Sequence, residues 1–215
     1  MIVRILIVAS SHLLLKELPL KQALLKRKHW IFDMDGTLTI AQHDFDAIRR
    51  ELGLSEGVSI LEALAKLPTN ISRKLYIRID EIGLEIARQA KPAEGASEFL
   101  DTLKSRGVNM GIVTRNNLIN VNVTLEAAGL SDYFLPENCV SRDCAPPKPS
   151  PVGIMRLLEQ WGAKPNEAVM VGDYHYDLHA GKNAGTATIY IDPSGEFLFK
   201  DDADVCIKQL TSLVG

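Results

Sequence analysis

From about residue 91 onward the chain alternates between short apolar runs and amphipathic stretches, and that alternation leaves few folds open. Phe99, Leu100 and Leu103 share one helical face, closed by Gly107. An apolar run over 108–113 reads as a strand, 118–128 as a helix stopped by Gly129, and 139–140 as a short strand. A helix over 152–161, a strand over 168–171, a helix over 178–183 and a strand over 188–191 follow. Apolar strands separated by helices belong to a parallel sheet covered on both faces, so the expected fold class is α/β.

Upstream the pattern changes. His29, Trp30, Ile31 and Phe32 read as one more buried strand, ending abruptly at Asp33. Residues 40–90 are helical almost throughout. Phe45, Ile48 and Leu52 make one apolar stripe, and Ile60, Leu61, Leu64 and Leu67 a second, stopped by Pro68. Ile71, Leu75, Ile79, Ile82 and Ile86 make a third, at spacings of four and three. These stripes are expected to form a small helical insertion after the first strand. Residues 2–15 are mostly apolar but carry Arg4, Ser10, Ser11 and His12, are too short to span a bilayer, and precede no convincing cleavage site. They are expected to belong to an N-terminal extension, 1–29, packed on or near the core, with a short helix after Pro19 that puts Leu20, Leu24 and Leu25 on one side.

The strand ends carry the chemistry. Asp33 and Asp35 place two carboxylates two residues apart where the first strand stops. Asp35-Gly36 alone is an ordinary turn, but Asp33 puts a charge where burial begins. Two close carboxylates in a half-buried site repel each other unless a proton or cation intervenes, and a hard divalent cation such as Mg²⁺ answers that need. Thr114 and Asp173 also follow directly on apolar strands, and ligands of open parallel sheets bind at the carboxyl ends of strands. Three polar residues far apart in sequence are thus expected to converge on one crevice. Singly each has an ordinary explanation: Thr114 ends a strand, Lys148 sits in a proline-rich loop, and Asp177 suits a helix start. His175 and His179 read as surface residues.

Net charge is −3 over 215 residues, so nothing draws the chain globally to nucleic acid or to an anionic membrane, and neither is an expected partner. An anionic ligand must be attracted by a local positive group. The three cysteines, an odd number without zinc-site spacing, read as reduced thiols of a cytoplasmic protein.

Asp33-Met34-Asp35-Gly36-Thr37 resembles the first motif of the haloacid dehalogenase (HAD)-like hydrolase superfamily. Thr114, Lys148 in Pro-Pro-Lys-Pro, and Asp173 with Asp177 after Gly172 resemble the second, third and fourth motifs, in order. The resemblance implies a Rossmann-like parallel core, residues 30–39 and 91–215, with residues 40–90 as a helical cap. It also implies a Mg²⁺-dependent phosphatase. Asp33 would be the nucleophile and form an aspartyl-phosphate, and Asp35 would be the general acid and base. Thr114 and Lys148 would bind and balance the phosphoryl group. The metal site would comprise Asp33, the backbone carbonyl of Asp35, and Asp173, with Asp177 at or just behind it. Arg115 and Asn116, where many relatives carry asparagine directly after the threonine, are candidate substrate contacts at the rim.

The insertion resembles the cap of the subgroup that includes phosphoglycolate phosphatase and β-phosphoglucomutase. The implied partner is a small phosphorylated metabolite, phosphoglycolate-like or sugar-phosphate-like, with Gln42, His43 and Arg49 placed to touch it. The expected assembly is a monomer or weak homodimer. A β-phosphoglucomutase-type phosphotransferase is the alternative, but His43 falls out of register with the mutase histidine. A silent phosphate-binding relative is a third reading. Receiver domains also combine an acidic pair, a phosphorylated Asp, a Thr and a Lys, but they separate the acceptor from the acidic pair and lack the helical insertion.

Overall fold

A computed structural model of the chain describes residues 19–214. The apolar stretch 2–15 lies outside them. Of the expected extension, residues 19–24 are helical, and Leu24, 1% exposed, packs into the core.

Six strands form one sheet: β1 His29–Phe32, β2 Asn109–Val113, β3 Cys139–Val140, β4 Ala168–Gly172, β5 Ala187–Ile191 and β6 Val205–Ile207. Their order is β3-β2-β1-β4-β5-β6, and every neighbouring pair is parallel. This is the expected α/β, Rossmann-like arrangement. Seven α-helices with named bounds accompany it: α1 Phe45–Glu51, α2 Ile60–Ala65, α3 Thr69–Ala87, α4 Ala96–Ser105, α5 Leu118–Ala127, α6 Val152–Gln160 and α7 His175–Ala184. The edge strand β6 was not foreseen, because three residues are too few to establish a period.

Strand β1 shows how the sheet is covered. Successive side chains of a strand point to opposite faces. Trp30 and Phe32 therefore turn to one side, where Phe99 of α4 meets both rings edge-on at centroid distances of 5.1 and 6.3 Å. Ile31 turns to the other side, into a cluster with Ile154 and Leu157 of α6 and Ala180 of α7. Trp30, Ile31 and Phe32 are fully buried, and each contributes on the order of 1.5–3 kcal/mol.

Helices α1–α3 carry a cluster of their own, centred on Ile48, Leu52, Ile60, Leu64 and Ile82. The chain leaves the core beyond Leu38 and returns through Lys91. The two crossing segments run side by side, with the Ile40 N–H donating to the Lys91 carbonyl at 3.0 Å and the Ala93 N–H to the Leu38 carbonyl at 2.8 Å. Asp44 caps α1 by accepting from the Ala47 N–H at 2.8 Å. Helix α3 packs along α5, and Gly83 makes the close approach possible: a Cβ there would lie 2.3 Å from Asn120 Nδ2.

Strand order reverses on either side of β1. The chain steps outward through β2 and β3 on one flank and through β4, β5 and β6 on the other. Such a switch point leaves a crevice beyond the carboxyl ends of the central strands, and α1–α3 roof it.

Candidate active site

Beyond Phe32 the backbone stays tied to the sheet, with the Asp33 N–H donating to the Val171 carbonyl at 2.9 Å. It then turns sharply. The Leu38 N–H reaches back to the Met34 carbonyl at 2.9 Å, and the Gly36 N–H donates to the Thr39 carbonyl at 2.8 Å. Gly36 is required twice over. Its φ is +83°, and a Cβ would fall 2.3 Å from Asp173 Oδ2. The turn is thus closed down on the carboxylate that ends β4.

Lys148 is the positive centre of the site. It is 1% exposed, and its Nζ lies 2.5 Å from Asp33 Oδ1 and 2.6 Å from Asp177 Oδ1. Burial works to lower its pKa, but the charges of Asp177 and Asp33 prevail and raise it above the usual lysine value. Asp177 is itself buried at the start of α7, and its second oxygen accepts from the Tyr174 N–H at 3.0 Å. Burial pushes its carboxyl up to about 6, against the pull of Lys148. Asp173 is raised well above the usual carboxylate range, by burial first and then by Asp33 and Asp177. Asp35 is raised by burial, opposed by His43, helped by Asp33 and opposed again by Asn116. The Asn116 Nδ2 donates to Asp35 Oδ2 at 2.5 Å.

Asp33, Asp173 and Asp177 each bring a carboxylate oxygen within 4.8 Å of the others. One lysine does not balance three clustered carboxylates, and burial together with repulsion from neighbouring carboxylates lifts Asp173 and Asp177. The donors are all oxygen, with no imidazole or thiol among them. That set fits a hard divalent cation of the Mg²⁺ type.

Asp33, Asp35, Thr114, Arg115, Asn116, Lys148, Asp173 and Asp177 all line one cavity of about 280 Å³ between the strand ends and α1–α3. Their orientations were not all foreseen. The Thr114 backbone N–H donates to the Val140 carbonyl at 3.0 Å, and its Oγ1 accepts from the Asn116 N–H at 3.2 Å. The Asn116 side chain is spent on Asp35. Arg115 lies over the Tyr176 ring at 4.3 Å and turns toward the insertion, donating to Ser59 Oγ at 3.0 Å, to Glu62 Oε2 at 2.7 Å and to the Lys148 carbonyl. His43 and Arg49 line the cavity. Gln42, expected to touch substrate, is not among the residues lining the cavity: it is exposed and donates to the Gln89 carbonyl at 3.2 Å, along the crossing segments.

Sequence reasoning missed Arg142, Glu62, Asp80 and Tyr176. Arg142 lines the cavity and pairs with Asp80, 62 positions away, so no local pattern signals it. His175, read as a surface residue, packs among the rings of Tyr174, Tyr176 and Phe199. His179 is partly exposed and pairs with Asp202 at 3.1 Å.

A doubly covered parallel sheet with acidic residues and a lysine at its switch point defines a class that the family comparison names. Residues 40–191 match the haloacid dehalogenase-like hydrolase family, and the chain belongs to it. The match begins after Asp33 and Asp35, whose place in the site rests on the geometry above. An uncharacterized hydrolase of Saccharomyces cerevisiae is 28% identical over 200 residues, covering 90% of this chain and 92% of that protein. A phosphoglycolate phosphatase of Aquifex aeolicus is 30% identical over 182 residues, covering 74% of this chain and 81% of that protein. The crystal structure of a hydrolase from Pseudomonas syringae superposes with a TM-score of 0.74 at 20% identity, covering 87% of this chain and 96% of the other, so the fold is shared.

Proposed function

We propose that this protein is a Mg²⁺-dependent phosphatase that hydrolyses a small phosphate monoester through an aspartyl-phosphate on Asp33. The observation that carries the reading is Lys148 bridging Asp33 and Asp177 beside Asp173, a buried cation held against the candidate nucleophile. Mg²⁺ would be held by Asp33, Asp173 and the backbone carbonyl of Asp35, with Asp177 in reach, and would supply the charge that lets a carboxylate approach an anionic phosphate.

The chain's own residues then divide the work. A carboxylate oxygen of Asp33 attacks phosphorus as the bond to the ester oxygen breaks. Asp35, kept protonated more readily by its burial and oriented by Asn116, gives its proton to the departing alkoxide. Lys148 balances the phosphoryl charge, and the Thr114 hydroxyl donates to a phosphoryl oxygen. In the second step a water attacks the phosphorus of the aspartyl-phosphate. Asp35 takes its proton, inorganic phosphate leaves and Asp33 is restored. Helices α1–α3 serve as a cap that excludes bulk water and meets the alcohol. The relative named as a phosphoglycolate phosphatase supports a small phosphorylated metabolite as substrate.

A monomer or a weak homodimer is the assembly this reading assigns. None of the described helices is long and apolar enough to cross a membrane. The odd number of cysteines suits a reducing compartment, and the cytoplasm is the location this reading assigns.

Release of inorganic phosphate from a panel of monoesters tests the scheme. EDTA should stop turnover and Mg²⁺ restore it. Asp33→Asn should abolish release while leaving the circular dichroism spectrum unchanged. Turnover retained in that variant would exclude the covalent route.

A further inference from the structure

The cavity wall supplied by the insertion meets whatever stands behind the transferred phosphate, and two independent properties of that wall agree. The first is charge. Three arginines line the cavity, Arg49 from the insertion and Arg115 and Arg142 from the core facing it, and each is already held by a carboxylate that lies outside the cavity. Arg49 pairs with Asp46 at 2.7 Å and donates to the Val58 carbonyl at 2.8 Å. Arg115 pairs with Glu62 at 2.7 Å, and Arg142 with Asp80. The remaining arm of Arg142 reaches the Arg115 carbonyl at 3.4 Å. Lys148 is taken up by Asp33 and Asp177. A second anionic group on the substrate would meet arginines whose charge a carboxylate already matches, and would gain less from them than from unpaired ones.

The second property is polarity. Phe45, Ile48, Ile60, Leu61, Ile79 and Ile82 face the cavity. Ile48, Ile60 and Ile82 also pack the insertion's own cluster and would be apolar whatever the substrate. Phe45 is different. It lies outside that cluster, is 53% exposed, lines the cavity, and stacks on His43 at 5.3 Å and 11°. A large aromatic ring left half in water at the mouth of a ligand cavity is a surface that a bound apolar group would cover. His43 and Ser59 offer polar contacts, enough for a hydroxyl or ether.

We infer that the alcohol released is small, uncharged and apolar on the side that meets the insertion, and that esters with a second anionic group, phosphoglycolate among them, are disfavoured. This rests on the phosphatase reading and narrows its substrate class. It makes Glu62 a specificity-determining residue that acts through Arg115.

Isobutyl phosphate and phosphoglycolate test it, since they share a branched shape and differ in carrying an isopropyl group in the one where the other has a carboxylate. Steady-state kcat/KM, read as phosphate release in Mg²⁺, should favour isobutyl phosphate by about tenfold or more in the unaltered protein. Glu62→Gln frees Arg115 and should move the ratio toward phosphoglycolate by about tenfold. Phe45→Ala should raise KM for isobutyl phosphate about tenfold and leave KM for phosphoglycolate nearly unchanged. A preference of the unaltered protein for phosphoglycolate overturns the inference and leaves the phosphatase reading standing, and so does a ratio unmoved by Glu62→Gln. Release of phosphate from neither ester, nor from any monoester of the panel, overturns both. Should a variant fail to fold, the comparison in the unaltered protein decides alone.

Discussion

Lys148 lies 1% exposed between Asp33 and Asp177, and a buried ammonium in that position depends on both carboxylates remaining charged. Removing it would leave buried carboxylates without a counter-charge. Lys148→Met is therefore expected to destabilise the metal-free protein by about 3–5 kcal/mol at pH 8, read from urea denaturation midpoints. The loss should shrink at pH 5, where Asp177 can take up a proton. Asp177 titrates at about 6 in the fold against a reference value of 3.8. A carboxyl raised in this way stabilises the fold fully below about 4, and the contribution is lost as pH rises through about 6. Asp173 and Asp35 shift in the same direction. The proposed Mg²⁺ would compete with those protons, so the rise in Tm between EDTA and Mg²⁺ should be larger at pH 8 than at pH 5. An equal rise at both values would remove the metal from this cluster.

At the scale of the element, the site depends on how β4 hands over to α7. The strand ends at Gly172, Asp173 faces the crevice, and the helix starts at His175. Asp177 folds back to accept the Tyr174 N–H, which satisfies one of the helix's unpaired donors and aims its other oxygen at Lys148. This back-bonding is why the helix begins three residues before the apolar periodicity at Leu178 announces it. The geometry leaves no room at Gly172, where a Cβ would fall 2.1 Å from Asp177 Cβ. Gly172→Ala must push the first turn of α7 away, with a stability loss on the order of 1–3 kcal/mol. Its effect on phosphate release should exceed its effect on stability, because Asp177 and Lys148 move with that turn. Wild-type kcat combined with a lowered denaturation midpoint would show that the handover serves the fold alone.

On the scale of the whole molecule, two hydrophobic assemblies meet over one cavity. The sheet is covered on both faces by α4–α7, whereas α1–α3 share the smaller cluster around Leu64, which is fully buried. The two crossing segments, the α3–α5 contact and the Arg115–Glu62 and Arg142–Asp80 pairs join them. A small cluster with few links should open more readily than the sheet. Leu64→Ala is expected to cost about 2–5 kcal/mol. Native-state hydrogen exchange should register most of that in α1–α3, while amides of β1 and β4 keep their protection. Equal loss of protection in the sheet would mean that the two assemblies unfold as one.

Much of this was written in local order along the chain. Apolar runs and helical stripes follow from side-chain periodicity, which needs no partner to be read, and so the parallel α/β core and three helices after the first strand were legible. Asp33, Asp35, Thr114 and Asp173 were legible for a related reason: a polar residue directly after a buried strand stands out against its neighbours. The pairing of charges was not. Only the motif resemblance brought Lys148 to Asp33 across 115 positions, and nothing in composition or spacing signalled that Arg115 meets Glu62 across 53. Arg115 and Asn116, expected as substrate contacts at the rim, do line the cavity, but that one side chain also holds the insertion and the other Asp35 was not legible. Which strand neighbours which, which carboxylate claims which cation, and which wall the alcohol meets depend on distances through space, and those exist only once the chain has folded.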